Sequence, residues 1–377
     1  MKQTVSAPQR GAPSQSSELV TPASLGYSMP AEFAPHEACW MLWPQRPDTW
    51  RYGAKPAQQA FADVAIAIAE SETVFVGVND EQYENARNQL PAHIRVVELS
   101  SNDAWMRDVG PTFVTHPDGH LALIDWEFNA WGGLKEGLYF PWDKDRRIRC
   151  KISEMLGIQR FEAPLVLEGG AIHVDGEGTL ITTEECLLNP NRNPDMDRET
   201  IERWLQEYLG ISKVIWLPRG CYLDETDGHV DNLCCFIAPG QVALTWCDDE
   251  QDPQGIISRE ALSVLENATD AKGRQLTVHK LPIPGPLYIA EDEASGLDRL
   301  NSSHPRLPGD RMAGSYVNFY IGNSVVVMPL LDPRHDGEAE SILSALFPTK
   351  RVIGVPAREI LLGGGNIHCI TQQQPRV

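Results

Sequence analysis

Two phrases of the chain are built alike and end in different reactive groups. Leu362-Gly363-Gly364-Gly365-Asn366-Ile367-His368-Cys369 closes on a thiol, and Leu167-Glu168-Gly169-Gly170-Ala171-Ile172-His173-Val174 opens with a carboxylate ahead of its glycines. Both read L-x-G-G-x-I-H-x. Consecutive glycines favour neither helix nor strand, but they let backbone approach backbone or ligand closely. Between the two lies Thr226-Asp227-Gly228-His229-Val230-Asp231-Asn232, an imidazole beside carboxylates, and upstream lies Asp108. A thiol attacks only as thiolate, and a free cysteine titrates near ~8.5. A histidine takes a proton and returns it to a leaving group. Cys369 and His229 alone would suit acyl transfer. Asp108, Glu168 and Asp231 argue against that, because they would repel a developing oxyanion. They suit a cation, and a planar guanidinium presents N–H donors in a fixed fork that carboxylates accept in pairs.

Each residue has a plainer role when read alone. Cys369 could be a buried thiol, His229 a turn histidine, Asp108 the partner of Arg107, and Glu168 a turn cap. His173 and His368 share one repeat position, which favours packing for both. What joins the others is placement in a repeated pattern of strand, tight turn, strand, helix, strand.

The first unit runs from Asp108–Val114 through the turn 117–120 and Leu121–Asp125 to a helix near 143–156 and an extended run to Val166. The second has Gly170–Val174, Thr179–Thr182, a helix near 196–209 and Val214–Leu217. The third has His229–Leu233, Val242–Trp246, a helix near 256–267 and Leu276–His279. The fourth has Tyr316–Tyr320, Val325–Met328, a helix near 337–346 and Arg351–Val355. The amino-terminal part gives Cys39–Trp43, a helix near 56–70, Thr73–Val78 and Arg95–Leu99, beside which a strand around Ile367–Cys369 would close the ring. Repetition of one unit predicts a closed circular array: a single α/β domain over 26–377, a five-bladed pseudo-symmetric propeller. Residues 1–25, rich in Ser, Pro, Gln and Ala, read as a disordered tail. The Pro- and Gly-rich stretch 282–313 breaks the pattern and reads as a lid, a subunit contact or a flexible connection.

Composition narrows the class. Hydrophobic content of 42% and charged content of 22% are those of a globular enzyme, and the net charge is −20. Solubility accounts for that charge; it also repels nucleic acid and favours cationic small molecules. No apolar run approaches a membrane span of ~20 residues, and no signal peptide is apparent, so a cytoplasmic protein is expected. Eight cysteines show no regular framework and no zinc-site spacing. No phosphate-binding glycine fingerprint occurs, so neither metal nor nucleotide is expected.

The chain resembles the agmatine deiminases of the guanidino-group-modifying superfamily, from about residue 27 to 372. Asn102-Asp103-Ala104-Trp105-Met106-Arg107-Asp108-Val109-Gly110-Pro111-Thr112, the Glu168-Gly-Gly phrase, Leu187–Pro194, Glu225–Asn232 and the terminal Gly-Gly-Gly-Asn-Ile-His-Cys carry the likeness. The resemblance implies the five-bladed propeller and no metal or organic cofactor. It implies Cys369 as nucleophile and His229 as acid and base. Asp108 and Asp231 would hold the guanidinium nitrogens, and Glu168 would bind the group and orient His229. Trp105 would wall the alkyl chain, and Glu225 is a candidate for the distal ammonium of agmatine. The implied products are N-carbamoylputrescine and ammonia, on a route to putrescine and polyamines. Deimination of free or peptidyl arginine, hydrolysis of an acyl substrate, and a binding propeller without catalysis are the competing readings. A homo-oligomer is left open.

Overall fold

The computed structural model describes residues 20–298 and 303–377. Its elements make a mixed α/β architecture in which one pattern recurs in separate sheets. Thr112–His116 pairs antiparallel with His120–Glu127, which pairs parallel with Gln159–Val166. His173–Val174, Thr179–Thr183 and Lys213–Leu217 repeat that order. So do Cys234–Ala238, Gln241–Trp246 and Thr277–Pro282, and then Tyr320–Ile321, Val325–Leu330 and Arg351–Pro356. The remaining large sheet joins distant parts of the chain. Thr371–Pro375 lies antiparallel to His36–Leu42, followed in parallel by Thr73–Val78 and Arg95–Glu98. Among the described residues no sheet closes into a barrel.

The local causes are ordinary ones. Helix Arg198–Leu209 begins where Asp197 accepts a hydrogen bond from the Thr200 N–H, and it ends at Gly210 with φ of 65°. Ile201, Leu205, Tyr208 and Leu209 face inward at helical spacing. Helix Pro253–Asn267 starts the same way, with Asp252 as cap and proline at its first position. The hairpin turn before Gln241 places Gly240 at φ of 72°, which a β-carbon would resist. Strands such as Val325–Leu330 are buried almost throughout, as expected where helices cover the sheet.

Helices fall within a few residues of the predicted ones, and the middle and third strands do so as well. The first strands differ. Asp108 lies in a helical turn, Met106–Val109, and the strand starts at Thr112. Gly169–Ala171 and Val230–Asn232 are 3-10 turns, so pairing starts at His173 and Cys234. In the fourth unit only Tyr320–Ile321 pairs, and the last strand is Thr371–Pro375 rather than the segment around Ile367–Cys369. Gly110-Pro111, Gly169-Gly170 and Gly363-Gly364-Gly365 do not hold a ladder, which delays the first strand of the first two units and the last strand of the chain.

Two further differences concern the ends of irregular regions. Residues 20–25, assigned to the tail, are structured: Ala23–Leu25 forms a 3-10 turn, and buried Thr21 donates its hydroxyl to Glu207 at 2.7 Å. The tail reading of 1–19 falls outside the described residues. The 282–313 stretch contains a short ribbon, Leu287–Tyr288 with Arg311–Met312, and a helix, Glu291–Ser295. No helix among the described residues is long and apolar enough to cross a membrane.

Candidate active site

The turns that delay each first strand carry the polar residues. A strand sends successive side chains to its two faces. A tight turn at the strand's start sends them past the end of the sheet instead. Asp108 sits in the turn before Thr112, Glu168 immediately before Gly169–Ala171, and His229 immediately before the turn holding Asp231. Cys369 lies in the turn before Thr371. The fourth sheet contributes Asn318, which sequence reasoning placed in a strand and gave no role. Its Nδ2 lies 3.2 Å from the Cys369 sulphur, and its Oδ1 accepts the His368 N–H at 2.9 Å.

These groups meet. The His229 ring places Nε2 3.5 Å from Glu168 Oε2 and Nδ1 3.9 Å from Asp108 Oδ2. Cys369 Sγ is 3.6 Å from Asp231 Oδ2. Asp108 accepts the Trp131 indole N–H at 3.0 Å and the Gly170 N–H at 2.9 Å. Glu168 Oε1 accepts from Arg192 Nε at 2.9 Å. Gly170 is at the centre of the cluster. A β-carbon there would stand 2.5 Å from His229 Nδ1 and 3.0 Å from oxygens of both Asp108 and Asp231. Gly365 plays the same part beside the thiol, where a β-carbon would lie 2.6 Å from the Trp105 ring and 3.2 Å from Cys369 Sγ.

A cavity of about 450 Å³ opens onto the cluster, walled by Trp105, Asp108, Trp131, Glu225, His229 and Cys369 among others. Trp105 is held by its indole N–H to Asp103 at 3.2 Å and by the neighbouring Trp50 ring, tilted 33° from it at 5.1 Å between centroids. Glu168 and Asp231 lie one layer deeper, fully enclosed. Asp231 Oδ1 is buried with no hydrogen-bond partner, and Glu168 Oε2 and His229 Nε2 have only each other, at 3.5 Å. Buried polar atoms are nearly always satisfied, so two under-satisfied carboxylate oxygens gathered in one place call for a ligand that supplies donors.

The electrostatics are those of a site awaiting a cation. Burial and then the neighbouring Asp231 and Asp108 push the Cys369 thiol well above its ordinary range. Burial works to neutralise His229, but Asp108, Cys186 and Glu168 outweigh it and hold the imidazole well above its usual value. Burial drives Asp108 up to about 6, with Asp231 and Glu168 adding to it against His229. Glu168 is pulled the other way: burial would raise it, yet Arg192 and His229 hold it at about 2.

A cation stands at the far end of the pocket, where none of the motifs named above supplies one. Arg306, from the irregular 282–313 stretch, lines the cavity, pairs with Glu225 and donates to the Gly363 carbonyl at 2.7 Å. Its one sequence signal is a lone arginine between Pro305 and Pro308. Arg107 and Arg192 lie behind the site instead, on Glu32 at 3.0 Å and on Glu168. Two buried groups bring possible metal-ligand atoms within 4.8 Å of one another, Glu32 with His173 and His368, and Glu168 with Cys186 and His229. Each carboxylate already holds an arginine, whose charge opposes a dication there.

A family profile of the Porphyromonas-type peptidyl-arginine deiminases matches residues 28–375. An agmatine deiminase of Pseudomonas aeruginosa is 58% identical over 357 residues, covering 94% of this chain and 97% of that protein. One from Ectopseudomonas mendocina is 57% identical over 357 residues, with 94% and 97% covered. A solved structure of the Enterococcus faecalis agmatine deiminase superposes with a TM-score of 0.92 at 46% identity, covering 94% of this chain and 98% of that one. With the cluster of thiol, imidazole and carboxylates in view, the chain belongs to the Porphyromonas-type peptidyl-arginine deiminase family and, within it, to the agmatine deiminases.

Proposed function

We propose that this protein hydrolyses the guanidinium of agmatine to N-carbamoylputrescine and ammonia through a thiouronium formed on Cys369. The observation that carries the reading is the pair of under-satisfied buried carboxylate oxygens, Asp231 Oδ1 and Glu168 Oε2, beside a thiol that its own surroundings keep protonated. A guanidinium supplies both the missing donors and the missing charge. Its arrival beside Asp108 and Asp231 cancels the repulsion that holds the proton on sulphur, so the thiol releases its proton to solvent and the thiolate forms when the electrophile is present. The thiolate attacks the guanidinium carbon. The imidazolium of His229 gives its proton to the departing nitrogen, and ammonia leaves. Neutral His229 then takes a proton from water, whose oxygen adds to the same carbon, and the adduct collapses to release the thiolate and the ureido product. In this scheme Asp108 and Asp231 hold the nitrogens, Glu168 binds the group and orients His229, and Trp105 packs on the alkyl chain.

We also read the five large sheets as blades of one propeller around this site. Contacts between the first strands of neighbouring sheets support that: His173–Val174 touches Cys234–Ala238, and Thr112–His116 touches Thr371–Pro375. The turns Gly169–Ala171 and Val230–Asn232 also touch.

Substrate choice follows from the cavity wall. Among the described residues it carries Asp103, Asp108 and Glu225 against Arg306 and the imidazolium of His229, and Arg306 is already paired with Glu225. The carboxylate that arginine adds would meet Asp103 and Glu225 there, while the ammonium of agmatine faces Glu225. A preference on the order of a hundredfold needs only ~2.7 kcal/mol of differential binding. Product assays with agmatine, arginine and an arginyl peptide test this. Comparable turnover of arginine would reject the pocket reading. Cys369→Ser is expected to abolish turnover while binding persists, and rapid quenching of the wild type should trap a mass adduct on the Cys369 peptide. An adduct on another cysteine would remove the assignment.

A further inference from the structure

Behind the thiol runs a buried line of charge that the proposed reaction does not yet use. Asp231 Oδ2 lies 2.8 Å from His368 Nδ1, and His368 Nε2 lies 2.9 Å from Glu32 Oε2. Glu32 also accepts from Arg107 Nη1 at 3.0 Å and lies 3.4 Å from His173 Nε2. Glu32, His173, Asp231 and His368 are all buried. A neutral imidazole has one N–H to give; only the imidazolium donates at both nitrogens. His368 has a carboxylate at both. Burial and Arg107 oppose its charge, but Glu32 and Asp231 outweigh them and raise it. The ring has little freedom, since the His368 N–H is fixed on Asn318 Oδ1 and the His173 ring stacks on it at 6.1 Å between centroids.

The consequence falls on Asp231. Its Oδ2 is committed to His368, which fixes the rotation of the carboxylate. The same Oδ2 lies 3.6 Å from the Cys369 sulphur, and Oδ1 is left buried and unpartnered. We propose that His368, held by Glu32, is a positioning residue that presents Asp231 Oδ1 to a guanidinium and offsets the charge of Asp231 next to the Cys369 sulphur. This rests on the guanidinium reading given above. The shared repeat position that suggested mere packing for His173 and His368 has a second meaning: His173 and His368 flank one carboxylate, Glu32, from two different units.

Alkylation of Cys369 tests this without needing turnover. A haloacetamidine and a haloacetamide carry the same leaving group, but only the first is a cation. In both reactions the carbon–sulphur bond forms, halide leaves and the thiol proton passes to solvent. The ratio of the two rates reads how well the carboxylates receive a planar cation. The wild type is expected to favour the amidinium by tenfold or more at pH 7. His368→Leu should cut the ratio about tenfold with the circular dichroism spectrum unchanged. His368→Asn keeps an N–H near the Nδ1 position and should recover most of it. An unchanged ratio in folded His368→Leu, or no recovery in His368→Asn, would overturn the proposal. If His368→Leu fails to fold, the isosteric Glu32→Gln carries the test: a severalfold drop supports the positioning role and no change refutes it. A wild type with no preference for the amidinium would instead sink the guanidinium reading itself.

Discussion

Asp108 keeps both oxygens hydrogen-bonded and still titrates at about 6, because enclosure and two neighbouring carboxylates outweigh His229. A guanidinium needs that carboxylate ionised. The value of kcat/KM, which reports the free enzyme, is therefore expected to fall on the acid side with an apparent pKa near 6. Asp108→Asn should remove that limb along with most of the activity. A flat profile down to pH 5 would show that another group governs capture. The convergence of Cys369 and His229 on one cavity could be read from the sequence, because a reactive type stood at a repeated position; their proposed roles rest on that convergence. The parts played by Asn318, Arg306 and Glu32 could not be read there. Their importance comes from neighbours far away in the chain, and Asn318 even sits in a segment that looks like strand.

At the scale of elements, the decisive objects are the short turns ahead of each first strand. Sequence patterns located the hairpins and helices closely, since apolar alternation and caps are local signals. They extended the first strands too far, because a few apolar residues after a glycine pair look the same in a turn as in a ladder. Gly170→Ala probes one such turn. The φ of Gly170 is not in the left-handed region, so the backbone tolerates alanine. The added carbon collides with His229 Nδ1 and both aspartates. Turnover is expected to fall at least a hundredfold, or ~2.7 kcal/mol, with Tm little changed. A second support lies under the Asp108 turn. Buried Arg149 donates to the carbonyls of Gly110 at 3.0 Å, Trp126 at 2.7 Å and Asp108. Arg149→Met strands three carbonyls, so a loss of roughly 3 kcal/mol or more in stability is expected. Urea unfolding with the midpoint unchanged would refute the anchoring role.

For the molecule as a whole, most shifted groups move stability in one direction across the neutral range, His279, lowered by burial, being an exception. The raised carboxyls Asp108, at about 6, and Asp145, at about 7, weaken the fold fully above those values and less as pH falls. The raised imidazoles His229 and His368 stabilise fully below their unfolded value and lose that contribution as pH rises through their folded ones. Opposing groups, Glu168 at about 2 with Glu32 and Asp231 also lowered, matter only below about pH 4. The net charge of −20 shrinks on acidification as well. The ligand-free protein is therefore expected to have a higher Tm at pH 5.5 than at pH 8, opposite to the trend in kcat/KM. A guanidinium ligand should raise Tm most at the alkaline end. Equal ligand shifts at both pH values would contradict this. Truncation through Leu25 should also lower Tm, because Thr21 and its turn rest on the helix Arg198–Leu209.

The order in which the reactive groups are strung has a consequence for how the protein comes into being. Asp108, Glu168, His229, Asp231 and Asn318 all precede Cys369. During translation the acidic cage and its acid–base partner emerge from the ribosome before the nucleophile exists. No prematurely terminated product can attack the cell's guanidines, and a stop codon anywhere ahead of the thiol yields at most a binder of cations. On the proposed mechanism, chemistry needs the segment bearing the sulphur laid against the amino-terminal sheet, so the pairing of Thr371–Pro375 with His36–Leu42 is also what arms the enzyme.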